Sequence, residues 1–145
     1  MTYILQPVGK NYDLVIFDGD VVQGTWALVV NASKILNGMY ANIASHADAD
    51  EFTVPLVLGK GTYDLHLVYS KDSDQGKLDV LVDSTVVINQ LDTYNAATQH
   101  NQIHEETNVA IGGGLHTLHF LVNGKNAASS NHIMRLQMIS FRKVA

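Results

Sequence analysis

A chain of 145 residues with 46% apolar and 16% charged residues fits one globular domain, and a domain of this size buries roughly 70% of its unfolded surface. The net charge of −5, with nine Lys and Arg scattered singly apart from Arg142-Lys143, leaves no electrostatic footprint for nucleic acid or an anionic membrane. The lack of cysteine excludes disulfides, thiolate metal sites and a cysteine nucleophile.

The opening residues MTYILQPVGKNYDLVIFDGD have neither a basic region nor a long apolar run, so they do not read as a signal peptide, and synthesis in the cytoplasm is expected. The longest apolar run, 26–30, falls far short of the ~20 residues of a membrane span. Strand-like segments come at 3–6, 14–17, 26–31, 40–44 and 52–58, with Asp18-Gly19 as a hairpin turn after the second. Residues 32–38 (ASKILNG) offer one helical turn ended by Gly38. Pro55 places the 52–58 segment at an edge or a bulge, because proline cannot donate to a ladder.

Beyond Gly59-Lys60-Gly61 the alternation becomes strict. In 63–69, Tyr63, Leu65, Leu67 and Tyr69 share one face. In 78–83 the apolar set is Leu78, Val80 and Val82, followed by a turn at Asp83-Ser84 and a further strand at 85–89. In 116–122 it is His116, Leu118, Phe120 and Val122. In 134–140, Met134, Leu136, Met138 and Ser140 are expected to share a face. Each pattern suits a half-buried antiparallel strand. Residues 90–107 read as a long connection with some helical propensity over 95–106, and 123–131 (NGKNAASSN) as a second polar loop. Roughly ten short strands and no strong helix predict a single all-β domain over 1–145, an antiparallel β-sandwich.

Between the strands at 63–69 and 78–83 stands KDSDQG, which opens like a calcium loop. Counted from Asp72, the glycine (Gly76) falls one place before the turn position that a calcium loop requires, Lys77 occupies that position, and the twelfth residue is Asp83. The stretch therefore reads as a polar hairpin loop between two core strands, with Asp79 and Asp83 on the face opposite the apolar residues.

The segment VPLVLGKGTYDLHLVYSKDSDQGKLDVLVDSTVV, a long connection, and VAIGGGLHTLHFLVNGKNAASSNHIMRLQMISF together resemble the galactose-binding-like jelly roll of carbohydrate-binding modules. The likeness covers about 52–142 and lies in glycine and apolar positions. It implies a jelly-roll sandwich and a glycan as one expected partner. In such modules exposed aromatics contact the sugar, whereas the single Trp26 lies within an apolar strand, where core packing is expected. In size and lack of a leader the chain is also similar to cement, or decoration, proteins of tailed-phage capsids.

No constellation points to an enzyme, a metal or a cofactor. His100 and His104 are four apart beside Glu105 and Glu106, yet the second histidine of a helical zinc motif is missing. HADADE, with His46, Asp48, Asp50 and Glu51, lacks the glycine and the later glutamate of a calcium loop. Gly112-Gly113-Gly114 is followed by a strand and lacks the lysine of a phosphate loop. There is no nucleophile elbow, and His116 is expected to be hydrogen-bonded and half-buried. Val68, Leu81, Leu121 and Ile139 fall on nominal outer faces, which suggests either an assembly surface or cover by other parts of the chain.

Two functional readings follow. The first is a non-enzymatic virion protein, a cement subunit that stabilises an assembled capsid through contacts with capsid protein and with its own copies. Its contact candidates are Tyr3, Ile4, Gln6, Pro7, Tyr94, Asn95, His100, His104, Asn123, Lys125, Asn126 and Asn131. The second is a carbohydrate-binding module or receptor-binding fibre domain, with Tyr94, Asn95 and Asn131 as sugar contacts. Neither needs a cofactor.

Overall fold

A computed structural model describes residues 47–145 with their side chains and, before them, the backbone of residues 3–5, 12–16, 20–23, 26–30 and 39–43. Gln6, Pro7, the Asp18-Gly19 turn, the 32–38 segment and His46 lie outside the described residues, as does the side chain of Trp26. The strands are β1 (Tyr3–Leu5), β2 (Tyr12–Ile16), β3 (Asp20–Gln23), β4 (Trp26–Val30), β5 (Met39–Ile43), β6 (Glu51–Leu58), β7 (Gly61–Lys71), β8 (Gly76–Val82), β9 (Thr85–Asp92), β10 (Gln99–Ile111), β11 (Gly114–Lys125) and β12 (Met134–Lys143).

They form two antiparallel sheets. In the smaller one the order is β3-β6-β11-β8-β9. In the larger one β7 lies between β10 and β12, and the far edge of β12 is shared: Ile139–Arg142 pair with β2, and Met134–Leu136 with β5. β1 then flanks β2, and β4 flanks β5. The architecture is the expected β-sandwich.

The core follows the two-residue period. Phe52, Val54, Leu56 and Leu58 of β6, Tyr63, Leu65, Leu67 and Tyr69 of β7, Leu78, Val80 and Val82 of β8, and Leu118, Phe120 and Val122 of β11 are all buried. Burying each large apolar side chain stabilises the fold by about 1.5–3 kcal/mol. Phe52 and Phe120 sit opposite each other across the β6–β11 ladder with ring centroids 6.1 Å apart. Across the β7–β12 ladder, Tyr63 and Phe141 meet edge to face at 6.4 Å. Pro55 pairs with Thr117 of β11 and lies beyond Thr53, the last residue of β6 with a β3 partner among the described residues. Its missing N–H therefore costs no ladder bond there.

Three expectations need correction. Residues 90–107 are not a strandless connection: β9 runs to Asp92, and β10 occupies Gln99–Ile111. β10 is an edge strand, paired only with β7 among the described residues, so it needs no alternating apolar face. Its pairing with β7 shifts register twice, and within the shifts Asn101 and Asn108 have φ of 57° and 58°. Those bulges break the two-residue period and blunt the edge against pairing with other chains.

In β12 the register also shifts, between Leu136 and Met138. The inward set is therefore Met134, Leu136, Ile139 and Phe141, while Met138 and Ser140 are only half-buried. One extra residue, Gln137, flips the parity of all that follow it.

Ile139 is a core residue and Val68 is also buried, so only Leu81 and Leu121, both half-buried, remain of the four supposed outer apolar residues. Among the described residues, the apolar groups exposed on the outer face of the five-stranded sheet are instead Val57, Leu115 and Val86. Val57 and Leu115 are direct cross-strand partners.

Candidate functional site

Antiparallel order brings the ends of β7, β9 and β11 and the starts of β8, β10 and β12 to one end of the sandwich. Three loops meet there: 72–75, 93–98 and 126–133. KDSDQG spans the first of them, but it is not the expected hairpin loop: β7, which ends at Lys71, belongs to the larger sheet and β8, which starts at Gly76, to the smaller, so this polar loop carries the chain from one sheet to the other.

The first loop organises the other two. Asp72 N–H donates to the Thr93 carbonyl at 3.3 Å, and Asn95 N–H donates to the Asp72 carbonyl at 3.1 Å, so Asp72 and Tyr94 run side by side as a short parallel bridge. The Asp72 carboxylate accepts from Thr98 Oγ1 at 2.9 Å and from an Arg135 terminal nitrogen at 3.3 Å. Arg135 holds Asp74 with both terminal nitrogens, at 2.8 and 3.0 Å. This fork geometry is the stronger form of a charge-assisted pair. On the other side, Ser130 N–H donates to the Ser73 carbonyl and Ile133 N–H to the Asp74 carbonyl, both at 3.1 Å.

A second carboxylate ties the remaining gap. Asp92 accepts from Tyr94 N–H at 3.0 Å with one oxygen and from the Asn126 amide at 2.7 Å with the other. The buried Tyr69 phenol has its pKa raised, first by desolvation and then by the charge of Asp92. Lys125 Nζ donates to the Ser129 carbonyl at 2.8 Å, and Asn131 Oδ1 accepts from His132 N–H at 2.8 Å. Gln75 is fully buried in this group: its Oε1 accepts from Arg135 N–H at 3.3 Å, and its Nε2 has no partner among the described residues.

Of the candidates read from the sequence, Tyr94, Asn95, Lys125, Asn126 and Asn131 come together at this end. Tyr94 is half-buried, with its backbone pinned on both sides. His100 stands at the start of β10, bonded through Nδ1 to Ser70 Oγ at 2.9 Å. His104 is further along β10 and pairs with Glu106 at 2.8 Å. Because this segment is a bulged strand and not a helix, His100 and His104 do not converge. Among the described residues no group of three potential metal ligands occurs. Asn123 lies on the outer face of the five-stranded sheet, donating to Asp79 at 2.6 Å. Tyr3 and Ile4 belong to β1, which pairs only with β2 among the described residues, on the side of the sheet away from β7.

Sequence reasoning missed Asp72, Asp74, Asp92, Thr98 and Arg135 as the frame of the site. The two carboxylates of KDSDQG were the visible signal. Their partner Arg135 lies more than sixty residues on, and nothing local connects them.

At the opposite end His116 is buried between two acceptors. Its Nδ1 meets Asp83 Oδ2 at 2.8 Å and its Nε2 meets the Gly112 carbonyl at 2.7 Å. The hydrogen bond to Asp83 holds the imidazole pKa above its ordinary value, against the opposing effect of burial, with the Gly112 carbonyl adding to the rise. Asp83 in turn is held below the usual carboxylate range by His116 and by Thr117 N–H. This cluster closes the end of β8 and the start of β11 and stands apart from the three-loop array.

No protein-family model and no curated sequence matches the chain. Solved structures do share its fold. A Paenibacillus xanthan lyase matches with a TM-score of 0.75 and 17% identity over 86% of this chain, which spans only 12% of the lyase. The CBM36-1 domain of a multidomain xylanase from the hindgut metagenome of Trinervitermes trinervoides matches with a TM-score of 0.63 and 13% identity, covering 93% of this chain and 99% of that domain. A family 6 carbohydrate-binding module from Clostridium cellulolyticum, solved with xylose, gives 0.56 and 13% over 83% of this chain and 89% of the module. The likeness to carbohydrate-binding modules is one of fold, a jelly-roll sandwich. The resemblance to capsid cement proteins finds no counterpart in these three.

Proposed function

We propose that this chain is a non-catalytic carbohydrate-binding domain whose ligand meets the three-loop end. The observation that carries this reading is the nearly end-to-end correspondence with an isolated carbohydrate-binding module, 93% of one chain on 99% of the other. The chain corresponds to a whole binding module, and to only a small share of the lyase.

The chemistry of the loop end supports the reading. Sugars are recognised by fixed donors and acceptors that replace water on their hydroxyls and by a flat aromatic face that covers the C–H side of the ring. Tyr94 supplies the ring, and Asn95 and Asn131 supply amides. Asp92 and the main chain of Asp72 hold the backbone of Tyr94 and Asn95, and Arg135 clamps the Asp72 carboxylate, so little ordering of that loop remains to be done on binding. The shell-binding reading is the weaker one, because two of its four apolar surface residues, Val68 and Ile139, are buried.

Isothermal titration of the purified chain against xylo-, manno- and β-1,3-galacto-oligosaccharides and xanthan fragments tests the proposal. Saturable binding to one class, abolished by Tyr94→Ala, is expected. Absence of binding to every class at millimolar ligand overturns it.

A further inference from the structure

The end of β11 joins two groups that react with each other unless they are kept apart. Asn123 precedes Gly124, and a glycine after asparagine leaves its backbone nitrogen unhindered for attack on the asparagine side-chain carbonyl. Here both groups are occupied. The Asn123 amide donates to Asp79 Oδ2 at 2.6 Å, and Gly124 N–H donates to Asp48 Oδ1 at 2.7 Å. The surroundings add further ties: Gln90 Nε2 donates to the Asn123 carbonyl at 2.9 Å, and Gln90 N–H to Asp79 Oδ1 at 2.6 Å. Asp48 also faces His132 Nε2 at 3.4 Å. The pair sits where the β8–β11 ladder shifts register between Val122 and Lys125, and Gly124 has φ of +84°, a conformation that only glycine adopts without strain.

We propose that Asn123–Gly124 is a covalent modification site that works as a one-way latch on the β8–β9–β11 junction. When the junction opens locally, Gly124 N attacks Asn123 Cγ and its proton passes to solvent base. The Cγ–Nδ2 bond breaks, ammonia leaves and a succinimide ring forms. Water then opens the ring at either carbonyl, giving aspartate or isoaspartate at position 123. No oxidant or other co-reactant is consumed.

The product does not reclose the junction. In the aspartate form a carboxylate replaces the donor that stood 2.6 Å from Asp79, which is itself buried. Two carboxylates at that separation cannot both stay ionised. The isoaspartate form instead routes the main chain through the former side chain, which removes the donor to Asp79 and adds a backbone atom beside the Gln90 contact. Position 124 directly precedes Lys125 and Asn126, so unlatching frees the third loop of the candidate site. The proposal itself does not depend on what that site binds.

The test follows conversion at Asn123 by peptide mapping with isoaspartate detection during incubation in mildly alkaline buffer. The full chain is compared with a synthetic peptide of residues 120–127. Mapping separates this pair from Asn37-Gly38, which lies outside the described residues. Conversion in the full chain is expected to be at least about tenfold slower than in the peptide, the protection of a modest local opening energy. Asp48→Ala, at an exposed position, and Asp79→Ala should each accelerate it. Asn123→Asp should speed amide hydrogen exchange at 79, 90 and 122–124 without global unfolding. Conversion of the native chain at the peptide's rate, equal rates in both alanine variants and the native chain, or native exchange protection in Asn123→Asp would each overturn the proposal.

Discussion

Arg135 at the start of β12 grips Asp74, in the middle of the β7–β8 loop, with both terminal nitrogens at 2.8 and 3.0 Å, and one of them also reaches Asp72 at 3.3 Å. One guanidinium thereby fixes the loop that carries two of the carboxylates at the sandwich end. Arg135→Ala leaves Asp72 and Asp74, which are only partly exposed, without their cation. A loss of about 1–2 kcal/mol is expected, above a surface pair and below a fully buried one. Urea denaturation measures it. Arg135→Lys should recover less than half, because an ammonium cannot make the fork.

Tyr94 separates binding from folding. Its backbone is held by Asp92 and by the bridge to Asp72, neither of which needs the ring. Tyr94→Ala is expected to abolish glycan binding while its denaturation free energy falls by no more than about 1 kcal/mol. A large stability loss with binding retained would place the ring in the fold and outside the site.

The His116–Asp83 pair predicts a pH dependence. The folded pKa of His116 is raised above 6.5, so its contribution is full below that value and disappears as pH rises through the folded pKa. Asp83 is lowered below 3.8, so its contribution is present above that value and disappears as pH falls through its folded pKa. The pair therefore stabilises most in the window between 3.8 and 6.5. The difference in urea midpoint between the native chain and His116→Gln should shrink as pH rises from that window to the alkaline side. A difference independent of pH would refute the protonated pair.

Gln137 and Asn101 lock two bulges together. Asn101 N–H donates to Gln137 Oε1 at 3.0 Å, and Gln137 Nε2 donates to Asn101 Oδ1 at 2.8 Å. Gln137 is buried, and Asn101 holds φ of 57°. Gln137→Ala removes both bonds and should cost about 1–3 kcal/mol. Hydrogen exchange should rise selectively over 99–103, since β10 is an edge strand. Uniform acceleration across both sheets would show that the lock is not local.

Much of the fold was legible because the core strands obey the simplest rule of a sheet. β6, β7, β8 and β11 bury every second residue, and each run is long enough to show the period. β10 was not legible, because an edge strand with two bulges has no apolar alternation to display. β12 was legible as a strand and misread in its facing, because one bulged residue at Gln137 shifts the parity of Ile139 and Phe141. The candidate site divides in the same way. Tyr94, Asn95, Asn126 and Asn131 stood out as polar and aromatic residues in loops, while the role of Arg135 depended on a partner distant in sequence.

KDSDQG marks the boundary between the two sources of information. Local chemistry alone settled that it turns the chain: polar residues and a glycine between two alternating strands form a turn, and the spacing to Asp83 is wrong for a calcium loop. The hairpin expected there is instead a crossing from the larger sheet to the smaller. Only the tertiary structure decided that its carboxylates hold Arg135 and Thr98 and lie beside Tyr94. The physical reason is that the two-residue period is a property of each strand by itself. Which loops share an end of the sandwich depends on the strand order in both sheets, and that order is set by packing among residues far apart in the chain.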